Sequence, residues 1–275
     1  MSKTIGVIGL GIIGGTWARH YAAAGRLAGS WNRTPQPQAP AWKNSPEEVA
    51  AAADVIQIVV ADPPAVAAIL QKILPRLGPD KVVMQSSTID PVSNDNFAAQ
   101  VTARGARYLA APFTGSKPAA EQKQVVFFLG GDAPLVAEME PLLALVSAHR
   151  FHVGTGAQAA TLKLALNLNI GAQMEGLCEA LVMARRAEIS DDVFFRVLEK
   201  NVAYSPLAKV KETKLRTGDF SPQFSVKHMH KDMRLAAETT GPGRLPLLEA
   251  IREQLRRAEE RGGGDEDLSA VLKLL

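Results

Sequence analysis

The sequence predicts an α/β protein: an N-terminal, Rossmann-type, doubly wound sheet followed by an all-α C-terminal domain. Three observations predict it. Short apolar runs alternate with helical segments up to about residue 153. The glycine-rich turn Gly9-Leu10-Gly11-Ile12-Ile13-Gly14 follows the first apolar run and opens the first helix. From Ala157 onward strand signals vanish. Strands that alternate with helices imply βαβ units and a mostly parallel sheet.

In chain order, Ile5–Ile8, Leu27–Trp31, Val55–Val60, Val82–Gln85, Arg107–Leu109 and Val125–Leu129 are the expected strands. Thr16–Ala24, Ala65–Leu74, Val92–Ala103 and Leu135–Val146 are the helices between them. Thr34–Pro40 holds three prolines and cannot sustain a helix. Ser45-Pro46-Glu47-Glu48 then starts the next one, with a cap serine, proline at the first position and a capping-box glutamate. Gln158 to Arg186 is nearly apolar all round, as expected of a helix buried between others. Further helices are expected at Asp191–Lys200, Pro206–Leu215, Val226–Thr239, Leu245–Arg261 and Leu268–Leu275, the last capped by Asp265 or Asp267. The change of pattern divides the chain into residues 1–156 and 157–275.

A length of 275 residues suits two domains, and 47% hydrophobic with 21% charged residues is ordinary globular composition. The net charge of +3 comes without a basic stripe, which argues against nucleic acid as a partner. Cys178 is the single cysteine, so no intrachain disulfide forms, and its place in the long helix suits a small buried hydrophobe. Met1-Ser2-Lys3-Thr4 passes straight into Ile5 without the features of a signal peptide, and no apolar run is long enough to span a bilayer. The expectation is a cytoplasmic protein with no membrane partner. His228 and His230 lie two apart on one helix with no carboxylate or thiolate cluster nearby, so no metal site is expected. Trp17, Trp31, His149 and His152 are read as packing or structural residues.

After a first strand, glycines serve a tight turn, close backbone approach to a pyrophosphate, and helix–strand packing, while the helix N-terminus stabilises the phosphate charge. Gly9, Leu10, Gly11, Ile12, Ile13 and Gly14 are therefore cofactor candidates. An NAD site usually carries Asp or Glu at the end of the second strand; here Asn32, Arg33 and Thr34 follow Trp31. Without the acid a 2′-phosphate meets no repulsion, and the Arg33 fork can pair with it, which favours NADP, with NADPH preferred over NADH.

Lys163 and Asn167 lie four residues apart in the long helix and share a face. Burying an amine on an apolar helix is costly without a partner, so a structural role explains Lys163 poorly. The two can approach one small molecule together.

These motifs resemble the β-hydroxyacid dehydrogenase family, also described as 3-hydroxyisobutyrate dehydrogenase-like, from about Ile5 to the C-terminus. Ser87-Thr88-Ile89-Asp90 is similar to its S-T-x-D turn, and Ala111-Pro112-Phe113-Thr114-Gly115-Ser116 to its substrate loop, usually A-P-V-S-G-G. Lys163-x-x-x-Asn167 resembles its catalytic helix and Lys231-Asp232 its K-D motif. Gly115–Glu121, Phe224–Ala236 and Asp265–Val271 look most like the glyoxylate and succinic semialdehyde reductases. The resemblance implies an NADP-binding domain at 1–156, a helical substrate and dimerisation domain at 157–275, and a homodimer.

It also implies an oxidoreductase acting on a small carboxylated aldehyde or hydroxyacid. Lys163 would stabilise and protonate the developing alkoxide, and Asn167 would hold the carbonyl or hydroxyl oxygen. Thr114, Gly115 and Ser116 would take the substrate carboxylate. Phe224 and Asp232 would close the pocket, with Thr88 near the nicotinamide and Lys231 near the cofactor. Phe113 and Thr114 depart from the usual valine and serine. The proline-rich connection replaces a helix of relatives, so a more open adenosine side is expected. Tartronate semialdehyde or 3-hydroxyisobutyrate chemistry, an imine reductase and a noncatalytic NADP-binding module remain alternatives. Imine reductases also carry Asn-Arg-Thr-Pro but generally lack the lysine.

Overall fold

The computed structural model describes residues 3–241 and 244–275. Met1 and Ser2, on which part of the N-terminal reading falls, lie outside them. The chain divides into two compact units, one ending at Lys163 and the other Leu164–Leu275.

The first unit is an eight-stranded sheet with helices on both faces. Its parallel part runs in the order β2 (Leu27–Trp31), β1 (Ile5–Ile8), β3 (Val55–Ile58), β4 (Val82–Gln85), β5 (Arg107–Ala110). Strand residues alternate between two cores, because successive side chains leave a pleated strand on opposite sides. Val7, Val55, Met84 and Leu109 enter one; Ile8, Ile56, Val83 and Tyr108 enter the other. Helices α1 (Ile12–Ala23), α2 (Pro46–Ala52), α3 (Pro63–Ile73) and α4 (Pro91–Thr102) alternate with these strands. Their starts are written in the sequence. Ser45, Asp62 and Asp90 accept the backbone N–H groups of Glu48, Ala65 and Ser93, and proline occupies the first position of α2, α3 and α4.

Beyond β5 the structure adds to the expected elements. Phe113–Thr114 form a short β6 that pairs antiparallel with β7 (Val125–Gly130), and α5 (Lys117–Glu121) fills the connection. After α6 (Ala133–Leu143), Ser147–Gly154 form β8, parallel to β7, so His149 and His152 lie within a strand. The segment 32–45, between β2 and α2, has no helix. It docks on β2, with Ser30 donating to the Pro40 carbonyl (2.6 Å) and Trp42 bridging Ser30.

The second unit is helical: the long α7 (Gly156–Arg186) belongs to it from Leu164 onward, with α8 (Asp191–Leu198), α9 (Pro206–Thr217), α10 (Val226–Thr240) and α11 (Pro246–Ala258). A wide π-type turn at Glu259–Gly263 and a 3₁₀ helix at Leu268–Leu274 end the chain. Leu248, Ile251, Leu255 and Ala258 recur at helical spacing and are buried. On α7, Met174, Cys178 and Leu181 face this core, while Ala165, Asn169, Gln173, Glu179 and Met183 are exposed. The helix is therefore covered on one side rather than all round; small residues on the other side disguise its polarity in the sequence. Burial, with Glu179 adding to it, pushes the Glu175 carboxyl up to about 7.

A buried ion pair ties the C-terminus to α9. Asp267, 0% exposed, meets Lys211 Nζ at 2.7 and 2.8 Å and accepts the N–H of Gln223 and the hydroxyl of Ser269. Of the two candidate caps, Asp267 is the one used. Burial opposes its ionisation, but Lys211 and these hydrogen bonds outweigh burial and hold the carboxyl below its ordinary 3.8. Asp267→Asn would leave a buried ammonium without its counter-charge, and a denaturant titration should show a loss of about 3–5 kcal/mol. Because the folded value lies below the unfolded one, this stability is present above about pH 4 and is lost as the pH falls further. A loss under about 1 kcal/mol would contradict the assignment.

Candidate functional site

In the first unit the chain passes from β1 to β2 on one side and returns to β3 on the other. Such a reversal opens a crevice at the carboxyl ends of the strands, where this fold binds ligands. The glycine turn sits there. Gly9 has φ +102°, and a Cβ on it would overlap the Val59 carbonyl. A Cβ on Gly14 would overlap the Gly9 carbonyl, whereas one on Gly11 meets nothing within 4 Å. Gly9 and Gly14 thus serve the turn and close packing, and Gly11 faces open space at the start of α1. That pattern fits a dinucleotide pyrophosphate.

Asn32 and Gln36 clasp this turn. The Leu10 N–H donates to Asn32 Oδ1 (3.0 Å), Asn32 Nδ2 donates to the Thr34 carbonyl (3.0 Å), and Gln36 Nε2 donates to the Leu10 carbonyl (3.3 Å). Asn32 therefore bonds the loops, while Arg33 and Thr34 are exposed. In the turn after β4, the Ser87 hydroxyl accepts the Val60 N–H (2.8 Å) and Asp90 caps α4 (2.8 Å), which fixes half-buried Thr88 between them.

Thr114 pairs with Val126 across β6 and β7. Gly115 has φ +130° and abuts Val125 and Ala119, so a side chain there would be strained. The Ser116 side chain makes no capping bond to α5. Lys163, 8% exposed, closes the first unit's sequence, with Nζ over the Phe113 ring, 5.7 Å from its centroid.

In the second unit three expected residues meet. Asn167, 1% exposed, donates from Nδ2 to Asp232 Oδ2 (2.6 Å), and Lys231 Nζ lies 2.7 Å from Asp232 Oδ1. A carboxylate acceptor sets which edge of the Asn167 amide carries the nitrogen and leaves its oxygen to face elsewhere. Phe224 stands on a loop held by Asp267, which accepts its N–H (3.4 Å), while its carbonyl accepts the Leu268 N–H (2.8 Å). His228 shares a 2.7 Å hydrogen bond with the Ser225 hydroxyl; burial first, then Lys231, lowers its pKa.

Gln36, Phe113, Lys211 and Asp267 are the residues whose part was not foreseen. Gln36 lay in a segment described only by its prolines. Asp267 stands in the sequence as a cap, and its pairing with Lys211, 56 residues away, leaves no local signal. Phe113 stood out as a departure in the substrate loop, but nothing in the sequence placed it beneath Lys163.

Two family profiles match the chain. The NAD binding domain of 6-phosphogluconate dehydrogenase matches residues 4–154, and the NAD-binding domain of NADP-dependent 3-hydroxyisobutyrate dehydrogenase matches 157–275. The chain is 31% identical to glyoxylate/succinic semialdehyde reductase 2, chloroplastic, from Arabidopsis thaliana, over 99% of this chain and 79% of that one. It is 28% identical to reductase 1 of the same plant, over 98% and 97%. Among solved structures, 3-hydroxyisobutyrate dehydrogenase from Salmonella typhimurium aligns with a TM-score of 0.89 at 28% identity, covering 99% of both chains. Among the described residues no helix is long and apolar enough to cross a membrane.

The glycine geometry separates binding from folding. Gly14→Ala forces a backbone overlap and should cost about 1–3 kcal/mol of stability in a denaturant melt. Gly11→Ala should leave the melt unchanged yet weaken NAD(P)H binding by about tenfold or more, the equivalent of one charge-assisted hydrogen bond. Unaltered NAD(P)H affinity in Gly11→Ala by calorimetry would contradict a pyrophosphate at this turn.

Proposed function

Since the chain belongs to the family of NAD(P)-dependent, 3-hydroxyisobutyrate dehydrogenase-like oxidoreductases, we propose that it reduces small carboxylated aldehydes of the glyoxylate and succinic semialdehyde type with NADPH. The observation that carries the proposal is the buried Lys163, one turn from a buried Asn167 that Asp232 holds in place. Its resemblance along nearly the whole chain to two glyoxylate/succinic semialdehyde reductases supports the substrate class.

When bound, the nicotinamide supplies a hydride to the carbonyl carbon. Gly9 to Gly14 hold the pyrophosphate, Arg33 and Thr34 the 2′-phosphate, and Thr88 and Lys231 the remainder of the cofactor. Thr114, Gly115 and Ser116 take the substrate carboxylate, and Phe224 gives the substrate an apolar wall. As the carbonyl carbon gains its new C–H bond, the π pair moves to oxygen. Lys163 Nζ stabilises that charge and passes its proton to the oxygen, leaving an alcohol and a neutral amine that regains a proton from water. Asn167 hydrogen-bonds the same oxygen throughout. Asp232 positions Asn167.

Initial rates with NADPH and NADH across glyoxylate, succinic semialdehyde, tartronate semialdehyde and a cyclic imine test the proposal. The carboxylated aldehydes should be turned over fastest, with NADPH. Preferred turnover of the imine, or none of any aldehyde, would overturn it. Arg33→Ala should weaken NADPH roughly tenfold while leaving NADH unchanged, the value of one charge-assisted contact; equal effects on both would remove the 2′-phosphate assignment. Lys163→Ala should lower kcat by about 10²-fold or more with a smaller change in KM. An unchanged kcat would remove the lysine from the chemistry.

A further inference from the structure

Phe113 lies between two features of the first unit that differ sharply in polarity. Above its ring is the Lys163 ammonium, 5.7 Å from the centroid. On its other contacts the ring is braced by aromatic neighbours. Trp17 meets it edge-on at 4.7 Å and an interplanar angle of 65°, and Phe127 lies 6.0 Å away. Trp17 and Phe127 are themselves in contact at 5.2 Å, and both are 0% exposed. The backbone is fixed as well, because Phe113 pairs with Phe127 across β6 and β7. The ring therefore has little freedom to turn away.

An aromatic face carries negative quadrupole potential and attracts a cation within about 6 Å of its centroid, more strongly where water is excluded. Lys163 is buried, and taking an ammonium out of water is costly unless something compensates it. A ring face opposes that penalty without accepting the proton, which a carboxylate at the same place could do. It also limits the rotamers open to a long, flexible side chain. An aliphatic residue here would fill volume but offer no such potential.

We propose that Phe113 is a positioning residue for the reaction: braced by Trp17 and Phe127, its ring face holds the Lys163 ammonium charged and in place. The inference rests on the proton-donor role proposed for Lys163. Thr114 and its neighbours keep their separate part in binding substrate.

Replacing Phe113 with mono-, di- and trifluorinated phenylalanines weakens the ring potential stepwise while nearly preserving shape. The single-turnover rate of NADPH oxidation by glyoxylate or succinic semialdehyde should fall step by step with fluorination, reaching about threefold to thirtyfold, with KM nearly constant. Phe113→Leu should fall as far, and Phe113→Tyr should retain most of the rate. A second readout needs no turnover. Acylation of Lys163 by a small activated ester at fixed pH, followed by peptide mass, should speed up along the same series by about threefold to tenfold as more amine is neutral. If both readouts are flat across the fluorinated series while Lys163→Ala still abolishes the rate, the role of Phe113 is wrong and that of Lys163 stands. If Lys163→Ala leaves the rate intact, the proton-donor reading fails first.

Discussion

The rest of the site depends on one constraint: α7 buries an amine and a carboxamide, and each must be compensated where it lies. Lys163 is 8% exposed and Asn167 1%. Left uncompensated, a buried amide costs roughly 1–3 kcal/mol and a buried ammonium more. Asn167 is compensated by Asp232, whose second oxygen faces Lys231. Lys163 stands over an aromatic face that is braced from behind. A leucine at either position would need no such compensation.

The glycine turn shows the same economy at the other end of the first unit. Both backbone hydrogen-bonding groups of Leu10 pair with side chains of the segment after β2: Asn32 accepts from its N–H and Gln36 donates to its carbonyl. The proline-rich connection is therefore anchored to the turn as well as to β2. With Asn32 spent on the protein, Arg33 and Thr34 are left exposed beside the cofactor turn.

Much of this was legible before any coordinates. Strands β1 to β5 and β7 appear in the sequence as short, largely apolar runs and were found close to their observed limits. The Ser45 cap was legible because a proline and a capping-box glutamate follow it, whereas the caps Asp62 and Asp90 went unread and the expected helices began at Ala65 and Val92. Lys163 and Asn167 announced themselves as polar residues in an apolar helix. The short β6 escaped because two residues carry no periodicity. β8 escaped because the exposed His149 and His152 and the charged Arg150 interrupt its apolar residues. The uncovered side of α7 was hidden by alanine and glycine, which count as apolar yet tolerate water. Pairings distant in sequence, Lys211 with Asp267 and Phe113 with Lys163, have no local signature and required the fold.

The central claim is that the Lys163 amine supplies the proton, and chemical rescue tests it most directly. In Lys163→Ala, added methylammonium or ethylammonium should restore the single-turnover rate of aldehyde reduction in a saturable, concentration-dependent way. An equally charged quaternary ammonium, which has no proton to give, should fail to do so. Restoration by the quaternary ion as well would reduce Lys163 to a source of charge. No restoration by any amine, with NADPH binding intact, would contradict the account.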